Sequence, residues 1–136
     1  IEAPLARMRQ VGLDYLGLDQ ALTTVSGGEL QRLRLAQTLG EKGQTYFLDE
    51  PTAGLHMKDT DKLVKLFRKM VKQGDSLIIV EHNLDVISQA DWLIDIGPGA
   101  GIYGGNVLYS GTPAGSVNDE ELFTGRALKT YMAENR

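Results

Sequence analysis

Cysteine is absent from all 136 residues. That excludes a disulfide framework and a thiolate metal site, and it fits a reducing compartment such as the cytosol. No apolar run comes near the roughly 18 residues of a membrane helix, and no basic-plus-apolar leader opens the chain. A cytoplasmic location with no membrane partner is therefore expected. An excess of positive charge is missing too: 14 Lys and Arg face 18 Asp and Glu, giving a net charge of −4. A surface that is a nucleic-acid platform throughout is thereby disfavoured, although a local basic strip survives the objection. Finally, G-x-x-x-x-G-K-[ST] occurs nowhere in the sequence. The loop whose amides and lysine cradle the phosphates of a nucleotide is thus lacking from these residues.

What is present is ordinary for a globular domain, with 42% hydrophobic and 24% charged residues. The length allows one domain with a sizeable core. The first residue is Ile1 rather than Met, which suggests a processed chain or a piece of a longer one. Apolar spacing predicts a short helix from Pro4 to Leu18, with Leu5, Met8, Val11 and Leu16 on its inner side and Gly12 and Gly17 weakening it. A second helix follows Ser26 and stops near Gly40. "TYFLDEP" reads as a buried strand, Thr45 to Asp49, ended by Pro51. Leu63, Leu66, Phe67, Met70 and Val71 recur at helical spacing, so Lys58 to Gln73 is an amphipathic helix ended by Gly74. "SLIIVEHN" is a continuous β-branched run, the pattern of a strand buried on both faces. A brief helix, Leu84 to Ala90, leads to a strand in "DWLIDIG".

This order predicts an α/β fold, mainly a parallel sheet flanked by helices with right-handed crossovers. From Gly97 to Gly105 a glycine-rich loop follows, then an antiparallel edge strand over Asn106 to Ser110. The polar tail from about Asn118 to Arg136 ends as a helix. One compact unit is expected.

Three stretches carry candidate chemistry. Ser26–Gly27–Gly28–Glu29 fits a capping box, Ser with Glu three residues on, which needs no ligand. The box explains Ser26 and Glu29 but neither glycine, each of which costs a helix about 0.5–1 kcal/mol against Ala. A helix start with bare N–H groups is equally an anion site that a phosphate can approach closely. Asp49–Glu50–Pro51 ends a hydrophobic strand, where ligands of parallel sheets collect. It is either a solvated turn or an acid pair in which Asp49 holds Mg²⁺ through water and Glu50 orients or deprotonates an attacking water. His82 ends the next buried strand, as a hydrogen-bonded structural residue or as a group on the same sheet edge as the acid pair.

In series, these three features resemble the second half of an ATP-binding cassette (ABC) ATPase domain. Ser26–Gly27–Gly28 resembles the family's signature motif, "YFLDE" its Walker B strand, and His82 its switch histidine. The resemblance implies that Asp49 helps coordinate Mg²⁺, Glu50 acts on the attacking water, and His82 contacts the γ-phosphate. It also implies that Ser26 and the Gly27 and Gly28 amides bind the γ-phosphate of ATP held by a different ABC half. "VSGGELQRLRLA", "LDEPTAGLH", "VEHNLDVI", "ADWLIDIGP" and "TGRALKTYM" narrow the likeness to the UvrA family, specifically to its C-terminal ABC half. Glu29 replaces the Gln usual in transporters, with Gln31 two residues on, and His56 stands where transporters carry the D-loop Asp. Glu29, Gln31 and His56 thus join the implied ATP-binding set. Val25 in place of Leu before the serine departs from the pattern.

The likeness covers nearly the whole chain, residues 1–136, as a partial nucleotide-binding domain without Walker A or Q-loop. It implies a C-terminal fragment of a DNA-binding ABC ATPase of nucleotide excision repair. Expected partners are the other ABC half, a second UvrA copy, UvrB and, through the parent protein, DNA. ATP and Mg²⁺ are the implied cofactors, with zinc only in missing upstream modules. Rival readings are a UvrA-like paralogue in drug self-resistance, an ABC transporter motor, and a non-catalytic piece that dimerises or binds DNA. Arg32, Arg34, Arg68, Lys69 and Lys72 read as solvated helix faces rather than a DNA groove.

Overall fold

The computed structural model describes residues 2–99 and 104–135, so part of the expected glycine-rich loop, residues 100–103, lies outside the described residues. The single unit expected from the sequence is instead two compact units, residues 1–82 and 83–136.

In the first unit, α1 spans Glu2–Gln10, much shorter than the helix expected to reach Leu18. The reason is Gly12, whose φ of +73° lies in the left-handed region. Gly12 N donates to Arg9 O (3.2 Å) and Leu13 N to Met8 O (2.9 Å). These two bonds make a Schellman stop, and the stop turns Val11 and Leu13 inward to full burial. A single 3-10 turn at Leu22–Thr24 precedes α2, Gly27–Thr38. Strand β1, Thr45–Asp49, pairs in parallel with β2, Ser76–Val80, across α3, Met57–Lys72. This is the predicted strand–helix–strand crossover.

Leu63, Leu66, Phe67 and Met70 of α3 bury against Leu35, Leu39 and Leu48, while Val71 sits at the rim. Strands β1 and β2 offer Tyr46, Leu48, Leu77 and Ile79 to this core. Their other face was expected to be buried as well, yet Phe47, Ile78 and Val80 are 72%, 52% and 62% exposed. Among the described residues of this unit, helices pack against one side of the strand pair only, and the β-branched run cannot reveal that asymmetry.

The second unit begins with α4, Leu84–Ile87, capped by the Asn83 side chain and shorter than the segment expected to reach Ala90. Strand β3, Leu93–Gly97, pairs antiparallel with β4, Asn106–Gly111, with a register shift at Asp95/Ile96. The edge strand was therefore placed correctly, but β3 belongs to a two-stranded antiparallel sheet distinct from β1–β2. A short α5, Pro113–Ser116, has no counterpart in the sequence reading, and α6, Phe123–Glu134, is the expected terminal helix. Helix α6 approaches the preceding backbone so closely that a Cβ on Gly125 would lie 2.2 Å from Ser116 O. Only glycine fits there. Asp85 accepts from the Tyr131 hydroxyl, and this bond, with partial burial, raises the phenol's pKa. No helix among the described residues is long and apolar enough to cross a membrane.

Candidate functional site

The start of α2 is a complete capping box. Ser26 Oγ accepts from Glu29 N at 3.3 Å, and Ser26 N donates to Glu29 Oε2 at 2.7 Å. The other Glu29 oxygen accepts from the Tyr15 hydroxyl, a partner the sequence did not announce. Together the Tyr15 and Ser26 donors hold the Glu29 carboxyl below its ordinary range, while burial and the nearby carboxylate raise the Tyr15 phenol.

The glycines remain to be explained. Neither Gly27 nor Gly28 has a positive φ. A Cβ on Gly27 would meet nothing within 4 Å, and one on Gly28 would find Ala53 and Arg32 at an ordinary 3.5 Å. The fold itself does not demand glycine at either position.

The acid pair lies where β1 ends. Asp49 is its last residue, and Glu50 takes a φ of +45°, the one non-glycine residue with positive φ among those described. Such a conformation costs a residue with a Cβ roughly 1–2 kcal/mol and persists only where neighbours enforce it. The enforcement is visible. Glu50 N donates to Val80 O of β2 at 2.8 Å, and Ala53 N returns to Glu50 O at 3.0 Å. Pro51 and Thr52 are buried behind the turn. Arg32 Nη1 donates to Pro51 O (2.8 Å) and Ala53 O (3.1 Å). Glu81 Oε1 accepts from Thr52 N (2.9 Å) and from the Thr52 hydroxyl, while its Oε2 accepts from His82 N at 3.0 Å.

The structure brings most of the predicted residues together. Gly27, Gly28, Gln31, Asp49, Glu50 and Ala53 line one cleft of about 290 Å³. Gln31 Oε1 accepts from Asp49 N at 3.2 Å, tying the glycine-led helix to the acid pair. His82 Nδ1 lies 3.5 Å from Glu50 Oε1, with both side chains well exposed. His56 stands apart from the cleft lining, as the exposed N-cap of α3 without a side-chain cap bond.

Arg32 corrects the sequence reading. It is 1% exposed and grips the acid turn, whereas Arg34, Arg68, Lys69 and Lys72 are exposed as expected. Helical spacing could have found it, since Arg32 shares a face with Leu35 and Ala36, which are also buried. Glu81 and Thr52 were missed as well. Their signal was a charge directly after an apolar strand and a hydroxyl directly after a proline stop, both weak.

Among the described residues, no group of three His, Cys, Asp or Glu gathers to hold a metal ion alone. The Asp49 and Glu50 carboxylates lining an open cleft still suit Mg²⁺, which takes one or two carboxylates with phosphates and water.

The protein family described as ABC transporter matches residues 1–53. The chain is 48% identical to UvrABC system protein A of Rickettsia conorii over 131 residues, covering 94% of this chain and 14% of the relative. It is likewise 48% identical to UvrABC system protein A of Streptococcus pyogenes serotype M3 over 126 residues, 91% of this chain and 13% of the relative. The crystal structure of UvrA2 from Deinococcus radiodurans superposes with a TM-score of 0.83 at 50% identity, over 92% of this chain and 16% of that one. The chain thus spans about a seventh of the length of the curated relatives it matches.

Proposed function

Because this chain belongs to the UvrA family of ABC-type ATPases, we propose that it supplies parts of two ATP sites to a longer DNA-repair ATPase. One part is the acid pair with His82; the other is the glycine-led helix start. The observation that carries this reading is the pair of glycines. Gly27 is open to space, and neither glycine is required by backbone conformation or packing, while the cleft they line also holds Asp49 and Glu50.

Glu50 is the general base. Its carboxylate points away from the core at the carboxyl end of a parallel strand, exposed enough to reach a water and close enough to His82 to share its orientation. His82 donates toward the γ-phosphate, and Asp49 is the residue that would hold Mg²⁺. When bound, Mg²⁺ neutralises charge on the phosphate oxygens. The Ser26 hydroxyl and the Gly27 and Gly28 amides are the donors offered at the positive end of α2 to the γ-phosphate of ATP carried by a different ABC half. Glu29 keeps Ser26 in place through the capping box. Gln31 ties the glycine-led helix to the acid pair of the same chain by accepting from Asp49 N, and His56 meets the nucleotide from the start of α3.

The loop that holds the α- and β-phosphates belongs to other sequence. The parent reads as a dimeric repair protein that binds damaged DNA in the cytoplasm and loads UvrB, with ATP turnover resetting the complex. The test is Glu50→Gln in the full-length protein. ATP binding should persist while hydrolysis slows by roughly 10²–10⁴-fold. Unchanged turnover would place the base elsewhere.

A further inference from the structure

Residues 49–53 are held from two directions by ions of opposite sign. Arg32 takes the carbonyls of Pro51 and Ala53, and Glu81 takes the N–H and hydroxyl of the residue between them, Thr52. The same Glu81 carboxylate reaches the backbone N–H of His82 with its second oxygen. One half-buried side chain at the end of β2 thus bonds both to the turn that presents Glu50 and to the backbone that presents His82.

We propose that Glu81 is a positioning residue of the hydrolytic site, with Thr52 as its partner, holding the acid turn in register with His82. The inference rests on the reading of Glu50 and His82 as the hydrolytic pair. Glu50 has a left-handed backbone that favours relaxation, and its own anchors are single bonds to Val80 O and from Ala53 N. Hydrogen bonds to a carboxylate are about twice as strong as neutral ones. Thr52 is 7% exposed, so its donors have little water to turn to when the carboxylate is lost. Relaxation of the turn then moves Glu50 away from His82, and a displacement of about 1 Å at a reacting group can cost 10²-fold in rate.

The test uses the full-length protein carrying this sequence, with Glu81→Gln, Thr52→Val, Thr52→Ser, the double variant Glu81→Gln/Thr52→Val, and Glu50→Gln alongside. Steady-state hydrolysis of Mg²⁺-ATP should show kcat reduced roughly 10- to 100-fold in Glu81→Gln and Thr52→Val, with KM nearly unchanged. Thr52→Ser keeps both donors and should keep the wild-type kcat. The double variant should fall no further than the worse single, because both changes remove one link. Wild-type kcat in Glu81→Gln and Thr52→Val overturns the proposal, and so do losses that multiply in the double variant. If Glu81→Gln does not fold, the contrast between Thr52→Val and Thr52→Ser decides alone. Glu50→Gln separates the two layers. Should it retain turnover, the hydrolytic reading fails; should it be inactive while Glu81→Gln and Thr52→Val are normal, the positioning role alone fails.

Discussion

Gly27→Ala separates what the fold needs from what a ligand needs. The added methyl would have no heavy atom within 4 Å, and the position carries no positive φ. Replacing glycine by alanine in compatible helical backbone stabilises by about 0.4–1 kcal/mol, chiefly by restricting the unfolded chain. At the first position of α2 the lower end applies, because the first turn makes fewer helical bonds. A thermal melt of the 136-residue chain should therefore show an unchanged or slightly raised Tm. The same methyl would occupy the space where a γ-phosphate oxygen approaches the helix amides. ATP hydrolysis by the full-length protein should then fall by roughly tenfold or more, equivalent to about 1.4 kcal/mol of transition-state stabilisation. Gly27→Asp should be worse, setting a carboxylate against the phosphate at the end of the helix that favours an anion. Gly28→Ala is the comparison, since its methyl would rest on Ala53 and Arg32 at 3.5 Å. Full ATPase activity in both Gly27 variants would refute the reasoning and leave a capped helix with two weak formers at its start. A lowered Tm in Gly27→Ala would refute the structural half.

Further outcomes follow from the same geometry. The 136-residue chain alone should release no phosphate from Mg²⁺-ATP, because no sequence in it can cradle the α- and β-phosphates; magnesium-dependent turnover in a phosphate-release assay would contradict this. In the full-length protein, Asp49→Asn should raise the Mg²⁺ concentration needed for half-maximal ATPase, an effect Glu50→Gln should not share. Arg32→Met should destabilise the 136-residue chain by about 1–3 kcal/mol in urea titrations, because two carbonyls of the acid turn lose their donor. Glu29 has a carboxyl pKa depressed in the folded state, so its contribution is complete above the unfolded value near 4.5 and is lost as pH falls through the folded one. Melts from pH 7 down to pH 3 should accordingly show a weaker acid-side loss of stability in Glu29→Gln than in wild type.

The legible parts of this protein were those written in local chemistry. The Ser26–Glu29 capping box, the strand over Thr45 to Asp49, the face of α3 and the β4 edge all follow from spacing and caps, and the structure has each of them. The acid pair and the histidine draw notice in the sequence because each stands at or just past the end of an apolar strand. What failed depends on contacts distant in sequence. The helix expected to reach Leu18 ends at Gln10 because Gly12 adopts a left-handed turn that lets Val11 and Leu13 bury. Arg32 read as a surface cation because its partners, the carbonyls of Pro51 and Ala53, lie 19 and 21 residues away. Glu81 was passed over beside His82 for the same reason, since its partner Thr52 is 29 residues distant. The division at His82 into two units leaves no compositional mark at all.

The left-handed backbone at Glu50 has a consequence for anyone selecting variants of this sequence. Glycine or asparagine would relieve its φ of +45°, by an amount on the order of 1 kcal/mol. A screen for heat resistance alone would therefore reward replacement of the one side chain proposed as the base. Thermostability and turnover compete at that codon, and a library sorted without an ATPase readout should drift toward robust, inert protein.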